Sequence, residues 1–133
     1  MRTALAALVV AVSLAWAAPA LADQKPAYEP ATGDEVVIYT HVFKPENFEE
    51  GLKLTTEGFT AAQAAAGQTR KNDILVDRAN HKIVLISYFD KGSSVEAWHA
   101  FMGRLDLLKK LEPMRSEPLK VERFKLDAVT TAP

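Results

Sequence analysis

The sequence predicts an α+β fold of element order β-α-β-β-α-β, a four-stranded antiparallel sheet with two helices on one face. Three observations carry this. Glu35–Phe43 (EVVIYTHVF) and Lys82–Phe89 (KIVLISYF) are β-branched and aromatic, with apolar residues on both faces. Two other segments repeat apolar residues at helical spacing. In this arrangement the first and third strands lie at the sheet centre, and those are the two doubly apolar runs. Helices cover only one sheet face, so the other needs a second layer, and a second copy of the chain is the economical source.

The first strand has two rows: Val36, Ile38, Thr40, Val42 and Val37, Tyr39, His41, Phe43. Lys44-Pro45-Glu46 turns into a helix, with proline near its first position and acids at 46, 49 and 50 favoured by the dipole. Phe48, Leu52, Thr55, Phe59, Ala62 and Ala66 form its apolar stripe. Gly51 and Gly58 each weaken that helix by about 1 kcal/mol, and close approach of helix to sheet is the use expected of them. Gly67 caps the end.

Lys71–Arg78 is a second, more polar strand, and Ala79-Asn80-His81 turns it into Lys82–Phe89. Ser93 and Glu96 have capping-box spacing at the start of the second helix. That helix carries Val95, Trp98, Phe101 and Met102, is expected to pause at Gly103, and resumes through Leu105, Leu108 and Leu111. Leu119–Leu126 is the last strand, where a phase shift between Val121 and Phe124 predicts a bulge. The whole is the ferredoxin-like split βαβ order.

Outside the domain at 35–127 the chain reads differently. Residues 1–22 have the signal-peptide layout: Arg2, an apolar run from Ala4 to Ala17, Pro19, and Ala20-Leu21-Ala22 before Asp23. An uncleaved anchor is the alternative. Cleavage implies export to the periplasm or the medium and no membrane span in the mature chain. Residues 23–34 hold two prolines, a glycine and three acids and read as a flexible arm. Residues 128–133 read as a frayed end.

Removing Arg2 with the leader takes the formal net charge from −1 to −2, which excludes a nucleic-acid binder driven by positive charge. Cysteine is absent, so there is no disulfide framework, thiolate metal site or thiol nucleophile. The three histidines have no H-x-H or H-x-x-x-H pair, so no metal site is expected. No serine sits in a G-x-S-x-G setting, and no Gly-rich phosphate loop is present.

The domain resembles the antibiotic biosynthesis monooxygenase family of the dimeric α+β barrel superfamily. The resemblance rests on the apolar opening strand, Lys44-Pro45 and the helix after it, Ala66-Gly67-Gln68 before the hairpin, Tyr88-Phe89-Asp90 ending the third strand, and Glu96-Ala97-Trp98-His99 on the next helix. It covers about residues 35–127. It implies a homodimer with the two sheets face to face, and in each subunit an apolar cavity between sheet and helices. It implies oxidation of a small aromatic or quinol-like compound by molecular oxygen without a cofactor. A non-catalytic module holding haem or a small apolar ligand is the alternative. Haem-degrading relatives often pair a tryptophan at the end of the third strand with a helix histidine, and Tyr88 or Phe89 stands there instead.

Cofactor-free oxygenation needs a base near neutral pH and a pocket that excludes water. Imidazole meets the first need, which makes His99 the catalytic candidate. Its alternative is a surface histidine on the helix flank. Tyr88, Trp98, Tyr39, His41 and Phe101 are the candidates to line a small-molecule site, against a plain core role for each. His41 lies either in the cavity or at the subunit interface, depending on which way its row faces.

Overall fold

The computed structural model describes residues 27–133; the leader and residues 23–26 lie outside them. The sheet is formed by β1 (Glu35–Val42), β2 (Lys71–Asp77), β3 (Lys82–Phe89) and β4 (Lys120–Lys125), in the order β2-β3-β1-β4 and antiparallel throughout. β1 and β3 are central, as their sequences require. Strand alternation then assigns every side chain to a face. Val37, Tyr39, His41 and Phe43 turn to the helices, with Ile83, Leu85, Ser87 and Phe89 beside them, and all eight are buried. Val36, Ile38, Thr40 and Val42 take the opposite face with Val84, Ile86 and Tyr88.

A 3-10 turn at Pro45–Asn47 opens the first helical segment, which has three parts: α1 (Phe48–Lys53), a π turn at Leu54–Gly58, and α2 (Phe59–Ala66), ended by Gly67 at φ 69°. A π turn takes one more residue per hydrogen bond than an α turn. The expected stripe holds: Phe48, Thr55 and Phe59 are buried, Leu52, Ala62 and Ala66 pack against the core, and the buried Gln63 joins them. Gln63 and Ser87 then need partners inside the protein. Gln63 Nε2 donates to Ser87 Oγ at 3.3 Å, Ser87 Oγ donates to Asn72 Oδ1 at 2.7 Å, and Asn72 Nδ2 closes the ring on Gln63 Oε1.

The two glycines serve close approach, but to different neighbours. A methyl group on Gly51 would lie 2.8 Å from the buried Phe43 ring of the sheet. One on Gly58 would lie 2.9 Å from Leu107, so that glycine admits a helix and not the sheet.

The second helical segment is α3 (Val95–Ala100) and α4 (Met102–Leu111), and a 3-10 turn at Glu112–Met114 follows. Its cap is Ser94, which accepts from the Ala97 N–H at 3.0 Å, and not Ser93, whose hydroxyl donates to Asp90 Oδ1 at 2.8 Å in the preceding loop. The break expected at Gly103 falls at Phe101, where ψ is 126°. Gly103 leaves room for the Phe101 ring, whose edge would stand 2.9 Å from any Cβ there.

The expected bulge in β4 is absent: the pairing with β1 runs unbroken from Glu35–Lys125 to Thr40–Lys120. The phase shift has another cause. Val121, opposite Tyr39, lies on the helix face, and Phe124, opposite Val36, lies on the open face. Each face of this edge strand carries one apolar residue. Within residues 27–34 the arm bonds to the end of the sheet and to itself. Gly33 N–H donates to the Leu126 carbonyl and Leu126 N–H to that of Asp34, both at 2.8 Å. The Tyr28 hydroxyl donates to the buried Asp34 carboxylate at 2.6 Å. Among the described residues no helix is long and apolar enough to cross a membrane.

Candidate functional site

The helix-facing row of β1 places Tyr39 and His41 two residues apart under the helical layer. α3 and α4 bring Trp98, Arg104 and Leu108 over them, and α2 brings Phe59. Together with Leu85 these side chains enclose an apolar cavity of about 10 Å³ for the centre of a water molecule, room for about one water. The site therefore sits between sheet and helices, where the resemblance implied a cavity.

His99 projects from α3, half-buried and not among the residues that line the cavity, and its Nε2 lies 2.8 Å from the hydroxyl of Tyr39, which does line it. Burial pushes the Tyr39 phenol up to about 12, against the opposing pull of Arg104. Burial, then the charges of Arg104 and Arg123, lower the His99 imidazole from its ordinary 6.5. Both groups are therefore neutral at pH 7. With Nε2 bare, the tyrosine donates and Nδ1 carries the imidazole proton. Such a pair can take one proton at the tyrosine oxygen while passing another to the imidazole.

His41 is fully buried, stacked on Phe43 at 5.8 Å and tilted against Phe59 at the same distance. Burial first, then Arg115 and Arg104, push it down to about 3. Its Nδ1 and the Trp98 Nε1 have no hydrogen-bond partner in the protein. Phe101 lies outside the cavity lining and stacks on Trp98 with ring centres 6.2 Å apart. It supports the wall instead of forming it.

Tyr88 is not brought to this site. It faces the other side of the sheet, its hydroxyl donating to Asp73 Oδ2 at 3.0 Å and its ring 6.3 Å from that of Tyr28. The physical reason is parity: Phe89 takes the helix side of β3, so its neighbour cannot. The residue that sequence reasoning missed is Arg104. It is 7% exposed and lies over the rings of Tyr39 and Trp98, at 5.7 and 5.9 Å from their centres. Among the described residues no three His, Asp or Glu side chains converge as metal ligands would.

No family model matches the chain, and no curated sequence is similar enough to count as a relative. Solved structures do match. Rv0793 of Mycobacterium tuberculosis superposes with a TM-score of 0.62 at 15% identity, covering 73% of this chain and 99% of that one. A structure named antibiotic biosynthesis monooxygenase gives 0.58 at 20% identity, covering 72% and 99%. A protein of Caulobacter crescentus, described as a candidate antibiotic biosynthesis monooxygenase, gives 0.59 at 14%, covering 74% and 92%. At these identities the likeness establishes the fold: this chain has the α+β fold of structures that bear that family's name.

The buried His41 has a measurable consequence. Its folded-state pKa, about 3, lies below the ordinary 6.5, so the unfolded chain takes the proton first as pH falls. Stability is unaffected above pH 6.5 and declines from there toward 3. At pH 5 the loss from this one group is about 2 kcal/mol. His41→Leu should keep the fold and remove that part of the acid sensitivity. Urea unfolding at pH 7 and pH 5 checks it, and an equal loss in both proteins would show that His41 titrates freely.

Proposed function

We propose that the chain is an exported, homodimeric oxygenase that oxidises a small aromatic or quinol-like compound with molecular oxygen, the substrate itself supplying the electrons. The observation that carries this reading is the 2.8 Å hydrogen bond between Tyr39, which lines an apolar cavity, and the half-buried His99 imidazole. Fold likeness to structures named monooxygenases adds support, although a fold by itself does not choose an activity.

In this reading an acidic C–H or O–H of the substrate meets the Tyr39 oxygen. Its proton passes there as the tyrosine proton passes to His99 Nε2, leaving a carbanion or phenolate and an imidazolium. For a methylene substrate the carbanion adds to dioxygen to give a peroxide anion. The imidazolium proton returns to that anion through Tyr39, and loss of water leaves the ketone. The sum is one methylene and one O2 to one carbonyl and one H2O. A water-excluding site favours the step, because the anion is not quenched by solvent. An aromatic ring exceeds the closed cavity, so entry displaces part of its wall.

Haem is the weaker reading. His99 Nε2, a nitrogen that would ligate iron, is already hydrogen-bonded to Tyr39. Dimerisation is supported by the open sheet face, where Leu75 is 54% and Phe124 49% exposed beside Ile38, Val84 and Ile86. Apolar patches of that kind are usually covered.

Three outcomes are expected. His99→Ala should leave fold and assembly intact and lower oxygen uptake with quinol or anthrone-type substrates by about 10²–10⁴-fold, the range for a lost general base. Unchanged uptake in the variant would remove His99 from the chemistry, and none in the wild type would leave a binding module. Sedimentation at micromolar concentration should give a dimer, whereas a compact monomer would sink the sheet-to-sheet assembly. N-terminal sequencing of protein from the producing cell should begin at Asp23, and a start at Met1 on membrane-bound protein would indicate an anchor.

A further inference from the structure

His99 is the last residue but one of α3, a helix of six residues that the break at Phe101 cuts off. Helices this short are marginal by themselves, and the last four carbonyls of any helix lack partners within it. In α3 the Trp98 carbonyl takes the Phe101 N–H at 3.1 Å. The His99 carbonyl is met by a side chain instead. Arg104, from the far side of the break, donates to it from Nη1 at 3.0 Å.

Arg104 is buried and makes no ion pair among the described residues. The surface arginines differ: Arg70 pairs with Asp90, Arg78 with Glu49, and Arg123 with Glu35 and Glu96. A desolvated cation without a counter-charge costs stability, and an apolar side chain of similar length would fill the space at less cost. The Tyr39 and Trp98 rings, whose centres lie 5.7 and 5.9 Å from the guanidinium carbon, offset part of that cost through their negative faces. Arg104 therefore holds the backbone of His99 and lies over the ring of Tyr39, the two partners of the 2.8 Å bond. A flat guanidinium suits both tasks at once, because it can lie on a ring while an N–H reaches sideways to a carbonyl.

We propose that Arg104 is a positioning residue: by capping the His99 carbonyl across the helix break while lying over the Tyr39 ring, it holds the imidazole Nε2 on the phenol. The lining of the cavity is apolar throughout, so Arg104 presents no donor to a ligand there and acts through the pair. The geometric part of this inference needs no oxygenation. Its effect on turnover rests on the proposed function.

The test is the imidazole 15N spectrum of His99 in the full chain at pH 8, where the ring is neutral. The nitrogen shifts report which ring nitrogen carries the proton, and that is set by the hydrogen bond the other nitrogen makes. The wild type should show a single tautomer, fixed by Tyr39. Arg104→Met should show a mixture of both. Its urea midpoint should move little, since removal of a desolvated charge offsets the lost hydrogen bond. With a substrate that the wild type oxidises, Arg104→Met should lower kcat by about 10- to 100-fold, the scale of a misplaced reacting group, with KM little changed. Arg104→Lys can reach the carbonyl but cannot lie flat on Tyr39. It should fall between the two, and it serves alone if Arg104→Met does not fold. A spacer role predicts an unchanged tautomer, because methionine fills similar volume. A single unchanged tautomer in the folded variant, or a mixture already present in the wild type, would overturn the proposal. Loss of the single tautomer in a protein whose wild type consumes no oxygen defeats the oxygenase and leaves the positioning role. Oxygen uptake by the wild type with an unchanged tautomer in the variant does the reverse.

Discussion

The helix-facing row of β1 is the constraint on which the rest depends. Val37, Tyr39, His41 and Phe43 share one side of a central strand, and the chain has no freedom to expose any of them without turning over the whole strand. Two of the four are polar. An unsatisfied buried polar group costs about 1–3 kcal/mol, so a row of aliphatic residues would be the more stable solution. The cost is offset by the apolar cluster around them, in which Phe43, Phe48, Phe59, Ile83, Leu85, Phe89, Trp98 and Leu111 are all buried. Placing a tyrosine and a histidine there biases their protonation: burial disfavours the charged form of each, so the neutral form is the stable one.

The strands and their order were legible because β1 and β3 differ in kind from β2 and β4. Two doubly apolar runs can only be central, and the β-α-β-β-α-β order then leaves one sheet. What was not legible is local geometry that a 3.6-residue period cannot express. The π turn at Leu54–Gly58 is one such feature, and the buried Gln63, a polar residue on the stripe of Phe59, Ala62 and Ala66, is another. The β4 bulge was an error of the opposite sort. A phase shift in an apolar pattern has two causes, a bulge or a strand with apolar residues on both faces, and the sequence of Val121–Phe124 does not distinguish them.

The site divides along the same line. Tyr39 and His41 fall out of strand parity once one face is known, and His99 follows from its place one residue beyond the buried Trp98. Tyr88, a candidate lining residue, takes the open face because Phe89 takes the helix side, and in sequence Tyr88 and Phe89 are equally good ends for an apolar row. Arg104 was hidden by the break at Phe101. A single helix through Trp98, Leu105, Leu108 and Leu111 puts Leu105 inside and Arg104 outside. Restarting the helix at Met102 changes the phase, so that Arg104, Leu108 and Leu111 turn inward while Met102 and Leu105 are 65% and 40% exposed. The signal was present as a Phe-Met-Gly sequence in mid-helix, but glycine was read as the break when it is the space the Phe101 ring needs.

The same break ties the cation to the acid–base pair. Arg104 bonds to the His99 carbonyl across it and lies over the Tyr39 ring, so one side chain spans both helices and the strand. Its charge opposes protonation of His99 and favours ionisation of Tyr39. Alone, that bias would weaken His99 as a base. Burial acts on His99 in the same direction as the cation and on Tyr39 in the opposite one, so the two effects add at the imidazole and partly cancel at the phenol.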